Sequence, residues 1–406
     1  MNIWIFNHHA LTPDMSGGTR HFDFAKALVE RGHSVSIIAS SFHYSKYQEL
    51  KNYENSHYLH EKIDGVDFIW IKTRPYYGNG TTRVINMLDY MYKALHVKIE
   101  NKPDIIIGSS VHLFAVYAAY KIAKKYHIPF VMEVRDIWPK TLIDLGMSKW
   151  HPFILLLGFL EKFLYKKAEK IISLLPYAYE HIATLGIPKD KIIWIPNGVD
   201  LSRNGTIKAF SFLQKSQFNI VYAGAIGEAN QINVLIQTAK LCEKITDTHF
   251  HIIGDGPQRK FLESQKTDNV TFYGALSKND AIAKINGANI LFFPLADSPI
   301  FNFGISSNKL FDYLASKKPI IFASNAKNNP IKDANAGISV KANDPLAVKE
   351  AIVKLKALPN EEIINLGNNG FKYVSEHHAI SILSKKLEAK LVSIEYNFKQ
   401  KLIKVK

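Results

Sequence analysis

A chain of 406 residues with 47% apolar residues is long enough for two or three domains with sizeable cores, which excludes wholesale disorder. The formal charge of +15 admits nucleic acid, anionic lipid or phosphorylated small molecules as partners, yet no helix-turn-helix, zinc-finger or aromatic RNA-platform pattern is present, so nucleic acid is not expected. One cysteine, Cys242, excludes a disulfide framework, and no stretch reaches the roughly 18 apolar residues of a membrane span.

The opening Met1–His9 lacks the basic leader and long apolar run of a signal peptide and reads as a first strand, while the lone Cys242 fits a reducing cytoplasm, the location expected. Strands are predicted at Asn2–Phe6, Ser34–Ala39, Val66–Lys72, Asp104–Gly108, Pro129–Val134, Lys170–Leu174 and Ile192–Ile195. Between the first two, Thr19–Glu30 carries Phe22, Ala25, Leu28 and Val29 at helical period and stops at Gly32. A turn-rich stretch, Pro196–Gly205, breaks the pattern. It restarts with Asn219–Ala223, Phe250–Ile253, Val270–Tyr273, Ile290–Pro294, Pro319–Ala323 and Ile338–Val340, with helical patterns from Asp344 to the end.

Alternating strands and helices predict an α/β fold of two doubly wound, Rossmann-like domains facing across a cleft. Residues 1–200 are expected to form the first domain, 201–380 the second, and 381–406 a C-terminal helix and basic tail. Doubly wound sheets bind ligands at the carboxyl ends of their strands, so the loops after strands carry the chemistry.

Four such loops stand out. Ser16-Gly-Gly-Thr-Arg20 puts paired glycines at a helix start, where backbone N–H groups can approach an anion. Glu133-Val-Arg-Asp-Ile-Trp-Pro139 clusters Glu133, Arg135, Asp136 and Trp138 after an apolar strand. Ile253-Gly-Asp-Gly-Pro257 closes a second-domain strand, with Gly254 and Gly256 open to a base or ribose around Asp255. Ile305–Ile321 begins a helix with Ser306, Ser307, Asn308 and Lys309, suited to phosphate oxygens, and brings Asp312 one turn after Lys309, where a carboxylate can hold ribose hydroxyls. Each has a plainer reading: a flexible turn, a helix cap, a tight strand-to-helix turn, an exposed ion pair.

The set Gly17-Gly18, Arg135-Asp136, Pro196–Asp200 with Asn197, Gly254–Pro257 and Asn308–Asp312, in this order, resembles the family 4 retaining glycosyltransferases of the GT-B fold. The Arg-Asp-Ile-Trp-Pro form is similar to the subgroup that builds O-antigen, capsule and related surface polysaccharides, including fucosamine transferases. The resemblance implies a sugar moved with retention from a nucleotide-diphosphate donor, a UDP-sugar, to a lipid-linked glycan acceptor at the inner face of the membrane. It implies no cofactor and no metal ion, and no Asp-x-Asp pair is present to hold one.

By the same resemblance Gly17 and Gly18 meet the donor diphosphate, Gly224 opens the second domain's diphosphate loop, and Asp312 holds the donor ribose. Asp136 is the acidic member of the acceptor-side pair in which Arg135 stands at the family's histidine position. Arg20, Glu133 and Trp138 are expected on the acceptor side, and Arg135, Asp136 and Lys309 in catalysis. The chain departs from the family at Ala225 and Asn230, where cations are usual, and at Gly304, where the first of two glutamates would fall, so Lys309, Arg20 or Arg135 must compensate. A nucleotide-sugar 2-epimerase and an inactive transferase-like binding subunit are the alternatives.

Trp150–Lys167 is too short to span a bilayer. Phe153–Leu157 reads as a buried crossover helix, and the part near Lys162, Lys166 and Lys167 as a contact with an anionic membrane.

Overall fold

The structure, a computed structural model, describes residues 1–15, 17–44, 46–98, 101–110, 112–212, 217–245 and 247–405. Ser16 of the glycine motif and Lys406 of the tail lie outside the described residues. The chain divides into two compact units, one of Met1–Pro196 with Ile380–Lys406, the other of Asn197–Ala379.

Unit 1 is an eight-stranded sheet: β1 (Asn2–Phe6), β2 (Ser34–Ser40), β3 (Tyr58–Ile63), β4 (Val66–Ile71), β5 (Ile105–Ser110), β6 (Phe130–Val134), β7 (Lys170–Ser173) and β8 (Ile192–Trp194). Their spatial order is β8-β7-β6-β5-β1-β2-β4-β3, doubly wound about β1. All neighbours are parallel except the edge pair β3–β4. The sequence reading missed β3, because its alternating exposure carries no apolar run. Its signal was the Asp64-Gly65 turn, where φ of 47° and 82° fits the two-residue hairpin that joins β3 to β4.

Helices α1 (Arg20–Val29), α2 (Thr81–Ala94), α3 (Leu113–Tyr126) and α4 (Pro152–Lys167) belong to this unit. Ile3, Ile5, Phe22, Phe68 and Trp70 share one core with the Leu383, Leu387 and Leu391 stripe of the C-terminal helix, Ile380–Val405. Glu388 on that helix pairs with Arg31 at 2.5 Å and His33 at 2.8 Å.

The burial of α4 corrects one expectation. Its period of 3.6 turns Ile154, Leu157, Leu160, Leu164 and Tyr165 inward and leaves Leu155 and Leu156 exposed, so Phe153–Leu157 is not uniformly buried.

Unit 2 holds a six-stranded parallel sheet: β9 (Phe218–Ala223), β10 (Thr248–Ile253), β11 (Val270–Gly274), β12 (Ile290–Pro294), β13 (Ile320–Ala323) and β14 (Gly337–Val340). The order is β11-β10-β9-β12-β13-β14, again reversing direction beside the first strand. Apolar strands such as Ile-Leu-Phe-Phe at 290–293 are buried on both faces, as a covered parallel sheet requires. Helix α5 (Asn308–Ala315) follows the loop after β12.

Candidate functional site

In unit 1, Arg20 opens α1 and is buried together with Glu133, the penultimate residue of β6. The Arg20 guanidinium donates from Nε to Glu133 Oε1 at 2.9 Å and from its two terminal nitrogens to the carbonyls of Pro196 and Ile195. Glu133 Oε2 accepts from His21 Nε2 and from Ser109 Oγ, each at 2.6 Å. Asn7 completes the group, with its side-chain amide 2.7 Å from His21 Nδ1. Burial favours the neutral acid, but Arg20 and His21 hold the Glu133 carboxyl well below its usual range. Arg20 therefore spends its hydrogen bonds on Glu133 and the backbone, and Glu133 spends its own on Arg20, His21 and Ser109.

Arg135 and Asp136 follow β6. The Arg135 N–H donates to Ser110 Oγ at 3.2 Å and the residue is half-buried, while Asp136 is exposed. Among the described residues Arg135 forms no ion pair with Glu133, whose oxygens are filled as described. The Arg135 charge acts on Asp136 and on His9. Trp138 is buried. Gly17 has φ of 137°, and a Cβ there would lie 2.4 Å from Leu11 Cδ1, so this turn requires glycine. Helix α1 begins three residues later at Arg20, past Gly18 and its N-cap Thr19.

The sequence reading passed over a histidine group on the same strand ends. His8 and His112 are fully buried, and His8 Nδ1 lies 2.6 Å from His112 Nε2. Burial brings His112 down to about 3. The adjacent pair His8-His9 directly after β1 was the available signal, since that is where a doubly wound sheet binds.

In unit 2 the loops after β9, β10 and β12 converge. The Gly224 N–H donates to Ile253 O and the Ile226 N–H to Asp255 O, each at 2.9 Å. A Cβ on Gly254 would lie 1.8 Å from Gly224 O, and one on Gly256 2.3 Å from Ile226 O. These glycines are needed because two loops of the chain itself press together, rather than to leave room for a base or ribose. Asp255 Oδ1 caps the Gly256 N–H at 2.8 Å, and its carboxylate lies 3.5 Å from Arg259. Asn197 is tied to Ser306 twice, its N–H donating to Oγ at 2.8 Å and its side-chain amide to the carbonyl at 2.5 Å. Ser307 is the N-cap of α5, Asn308 its first residue and Lys309 its second. Asp312 lies half-buried one turn on, and the next residue, Tyr313, donates its hydroxyl to Ala223 O.

Lys309 is the centre of this arrangement. Its ammonium donates to Asn230 Oδ1 and to Tyr222 OH, the latter at 3.3 Å, and lies 4.8 Å and 4.7 Å from the ring centres of Tyr222 and Phe293. Loss of hydration brings it down to about 7, with no carboxylate to oppose the shift. Gly224 flanks the lysine, since a Cβ there would lie 3.1 Å from Lys309 Cδ. The chain thus delivers an ammonium from α5 to Asn230, the very position at which the family resemblance expects a lysine.

Residues 15–203 match the domain family Glycosyltransferase Family 4, and residues 217–357 match Glycosyl transferases group 1. Among curated proteins, an uncharacterized 41.2 kDa protein in the cps region of Klebsiella pneumoniae is 26% identical over 225 residues, 53% of this chain and 60% of the relative. The match therefore spans less than two thirds of that relative. Among solved structures, sucrose-phosphate synthase from Thermosynechococcus elongatus has a TM-score of 0.73 at 15% identity, covering 97% of this chain and 99% of the other. HepE of Anabaena, solved in complex with UDP-glucose, has a TM-score of 0.64 at 13% identity over 97% and 100%. WaaG, a glycosyltransferase involved in lipopolysaccharide biosynthesis, has 0.60 at 14% over 95% and 98%. These likenesses establish the GT-B fold.

Proposed function

Taking the chain as a glycosyltransferase of the family 4 type, we propose that it moves a sugar from a UDP-sugar to a lipid-linked glycan acceptor in bacterial surface polysaccharide synthesis, with retention and without a metal ion. The observation that carries this reading is the Lys309 ammonium, held among neutral partners at the start of α5 beside Gly224. Breaking the sugar–phosphate bond places negative charge on the leaving diphosphate and positive charge on the anomeric carbon, much as in glycoside hydrolysis. A preorganised ammonium and the N–H groups of a helix start stabilise that leaving group where water is excluded. The leaving phosphate oxygen takes the acceptor hydroxyl's proton, and the acceptor oxygen bonds to the anomeric carbon on the same face. Asp312 holds the ribose, and Arg135 with Asp136 orients the acceptor.

A surface polysaccharide setting is supported by the relative from a cps region. Membrane contact is supported by exposed Trp150, Leu155, Leu156 and Phe159 on and beside α4, together with Lys149, Lys162, Lys166 and Lys167. Among the described residues no helix is long and apolar enough to cross a bilayer. The exposed apolar and lysine side chains of α4 support a peripheral place, which we assign to the cytoplasmic face.

Purified protein incubated with a panel of nucleotide sugars and a lipid-diphosphate glycan should release nucleoside diphosphate in the presence of EDTA. Tight donor binding with no release would make the chain a binding subunit, consistent with Ala225 and Gly304. Loss of release in EDTA, restored by Mg²⁺, would refute the metal-free mechanism.

A further inference from the structure

The histidine group of unit 1 has a polarity that its hydrogen bonds dictate. His112 caps α3, its Nδ1 accepting from the Ala115 N–H at 3.2 Å, so a neutral His112 carries its proton on Nε2. That Nε2–H donates to His8 Nδ1 across 2.6 Å, so the proton of His8 in turn lies on its own Nε2. The His8 ring is fixed between Tyr90 of α2, at 4.3 Å and 9°, and His9, at 4.2 Å and 19°. Its Nε2–H is a buried donor with no partner among the described residues. Both ring nitrogens of His9, one a donor and the other an acceptor in the neutral imidazole, and Nε of Arg83 also have no partner among the described residues.

Arg83 lies seven residues before Tyr90, two turns along the same face of α2. The cations that act on the neutral His8 and His9 are Arg83 and Arg135, both half-buried, and no carboxylate acts on either ring. His21 and Arg20, by contrast, have Glu133. Buried polar groups are ordinarily satisfied. A metal does not meet the need: the lone pair of His8 Nδ1 is spent on His112, and no three ligating side chains converge among the described residues. Unpaired donors of His8, His9 and Arg83 outnumber the single lone pair of His9, and that surplus beside a guanidinium calls for a ligand that accepts.

We propose that His8, His9 and Arg83 form an oxyanion subsite of unit 1 that binds a phosphate group of the acceptor, with His8 Nε2–H and Arg83 Nε–H donating to its oxygens. The subsite recognises rather than deprotonates, because His8 Nδ1 is occupied by His112 and Nε2 already carries its proton. Anion binding stands on the geometry alone; its assignment to the acceptor rests on the transferase reading above.

Histidine-¹⁵N-labelled full-length protein tests this by long-range ¹H–¹⁵N spectra at neutral pH, titrated separately with inorganic phosphate, a geranyl diphosphate and UDP. The expected result is Nε2–H tautomers for His8 and His112, with His8 and His9 signals moved by geranyl diphosphate at concentrations at least about tenfold below inorganic phosphate. Arg83→Gln should weaken that binding by about tenfold or more. His8→Phe, which keeps the stack on Tyr90, should do the same. Equal response to inorganic phosphate would reduce the subsite to a free-anion site, and response to UDP in place of geranyl diphosphate would hand it to the donor; either overturns the proposal. So would Arg83→Gln protein, folded as judged by its spectrum, that binds geranyl diphosphate as the parent does. Shifts at His8 in a protein that transfers no sugar would refute the transferase reading and leave the subsite standing.

Discussion

Arg20 in unit 1 and Lys309 in unit 2 are both cations in the first turn of a helix, where the backbone dipole disfavours positive charge. Their surroundings answer that cost in opposite ways. Arg20 is closed off by the Glu133 carboxylate and two carbonyls. Lys309 has an amide oxygen, a phenol and two ring faces, none of them charged. A buried cation with its carboxylate is a strut, because either partner left alone is expensive. A cation kept at about 7 by lost hydration, with no counter-charge, is poised for an anion that comes and goes.

Glu133→Ala should show the largest effect. Removing one partner of a buried pair costs about 3–5 kcal/mol, so urea unfolding of the variant should report a loss of that order. The Glu133 carboxyl is depressed in the folded chain, so its stabilisation is complete above the unfolded value near ~4.3 and is lost as pH falls through the folded value. Parent and Glu133→Gln unfolding curves should therefore converge in acid. A stable Glu133→Ala protein that has lost only acceptor affinity would return Glu133 to the acceptor side and erase the contrast.

Lys309→Met should do the reverse, lowering kcat by about 10²–10³-fold, the scale of one preorganised donor, while leaving stability unchanged or raised. Steady-state kinetics and urea unfolding on the same sample separate the outcomes. A destabilised but active variant would make Lys309 a second strut. Arg135→Lys, which keeps charge but loses the planar fork, should cost kcat about 10²-fold. Near-normal turnover would place Arg135 outside the chemistry.

Both sheets were legible because parallel strands covered on two faces are written as continuous apolar runs, as at Ile290–Pro294. Edge strand β3 was not, since its exposed positions break the run, and only Asp64-Gly65 marked it. The site was legible in part. Post-strand loops pointed to Arg135 and Lys309, but sequence order cannot say which charges meet. It set Glu133 beside Arg135 when the fold pairs it with Arg20 from 113 residues away. It also read Gly254 and Gly256 as openings toward a ligand, where the fold fills them with the carbonyls of Gly224 and Ile226. His8 and His112, 104 residues apart, lack any local pattern that could have joined them.

Asp312→Asn should raise the donor KM by about tenfold or more with the fold intact, since a hydrogen bond to a charged group contributes about 1.5–3 kcal/mol. Unchanged donor affinity, read by calorimetry with a UDP-sugar, would leave Lys309 as the only donor contact of α5 and narrow the comparison to one residue.

The smallest effect is also the most specific to a poised cation, and its sign follows from Lys309 standing at about 7 in the free protein. Below that value the ammonium is already present, so donor affinity should not depend on its titration. Above it the free protein has lost the proton, and the bound diphosphate favours taking it back, so the pKa of the complex is higher. Between the two values each donor bound takes up one proton, and Kd should rise by up to about tenfold per pH unit, equal to ~1.4 kcal/mol. A nucleotide-diphosphate sugar has no phosphate titrating in this range because both phosphates are esterified. Calorimetry in buffers of different ionisation enthalpy counts the proton directly, and Lys309→Met should abolish the uptake. Stability should move with the opposite dependence. The unfolded chain holds the lysine proton up to its ordinary value near ~10.4 while the folded chain releases it from about 7, so this group's contribution to stability rises with pH across that window. Arg20, paired with Glu133, should give neither signature. Donor binding without proton uptake above neutral pH would mean that Asn230 and Tyr222 hold Lys309 as firmly as Glu133 holds Arg20.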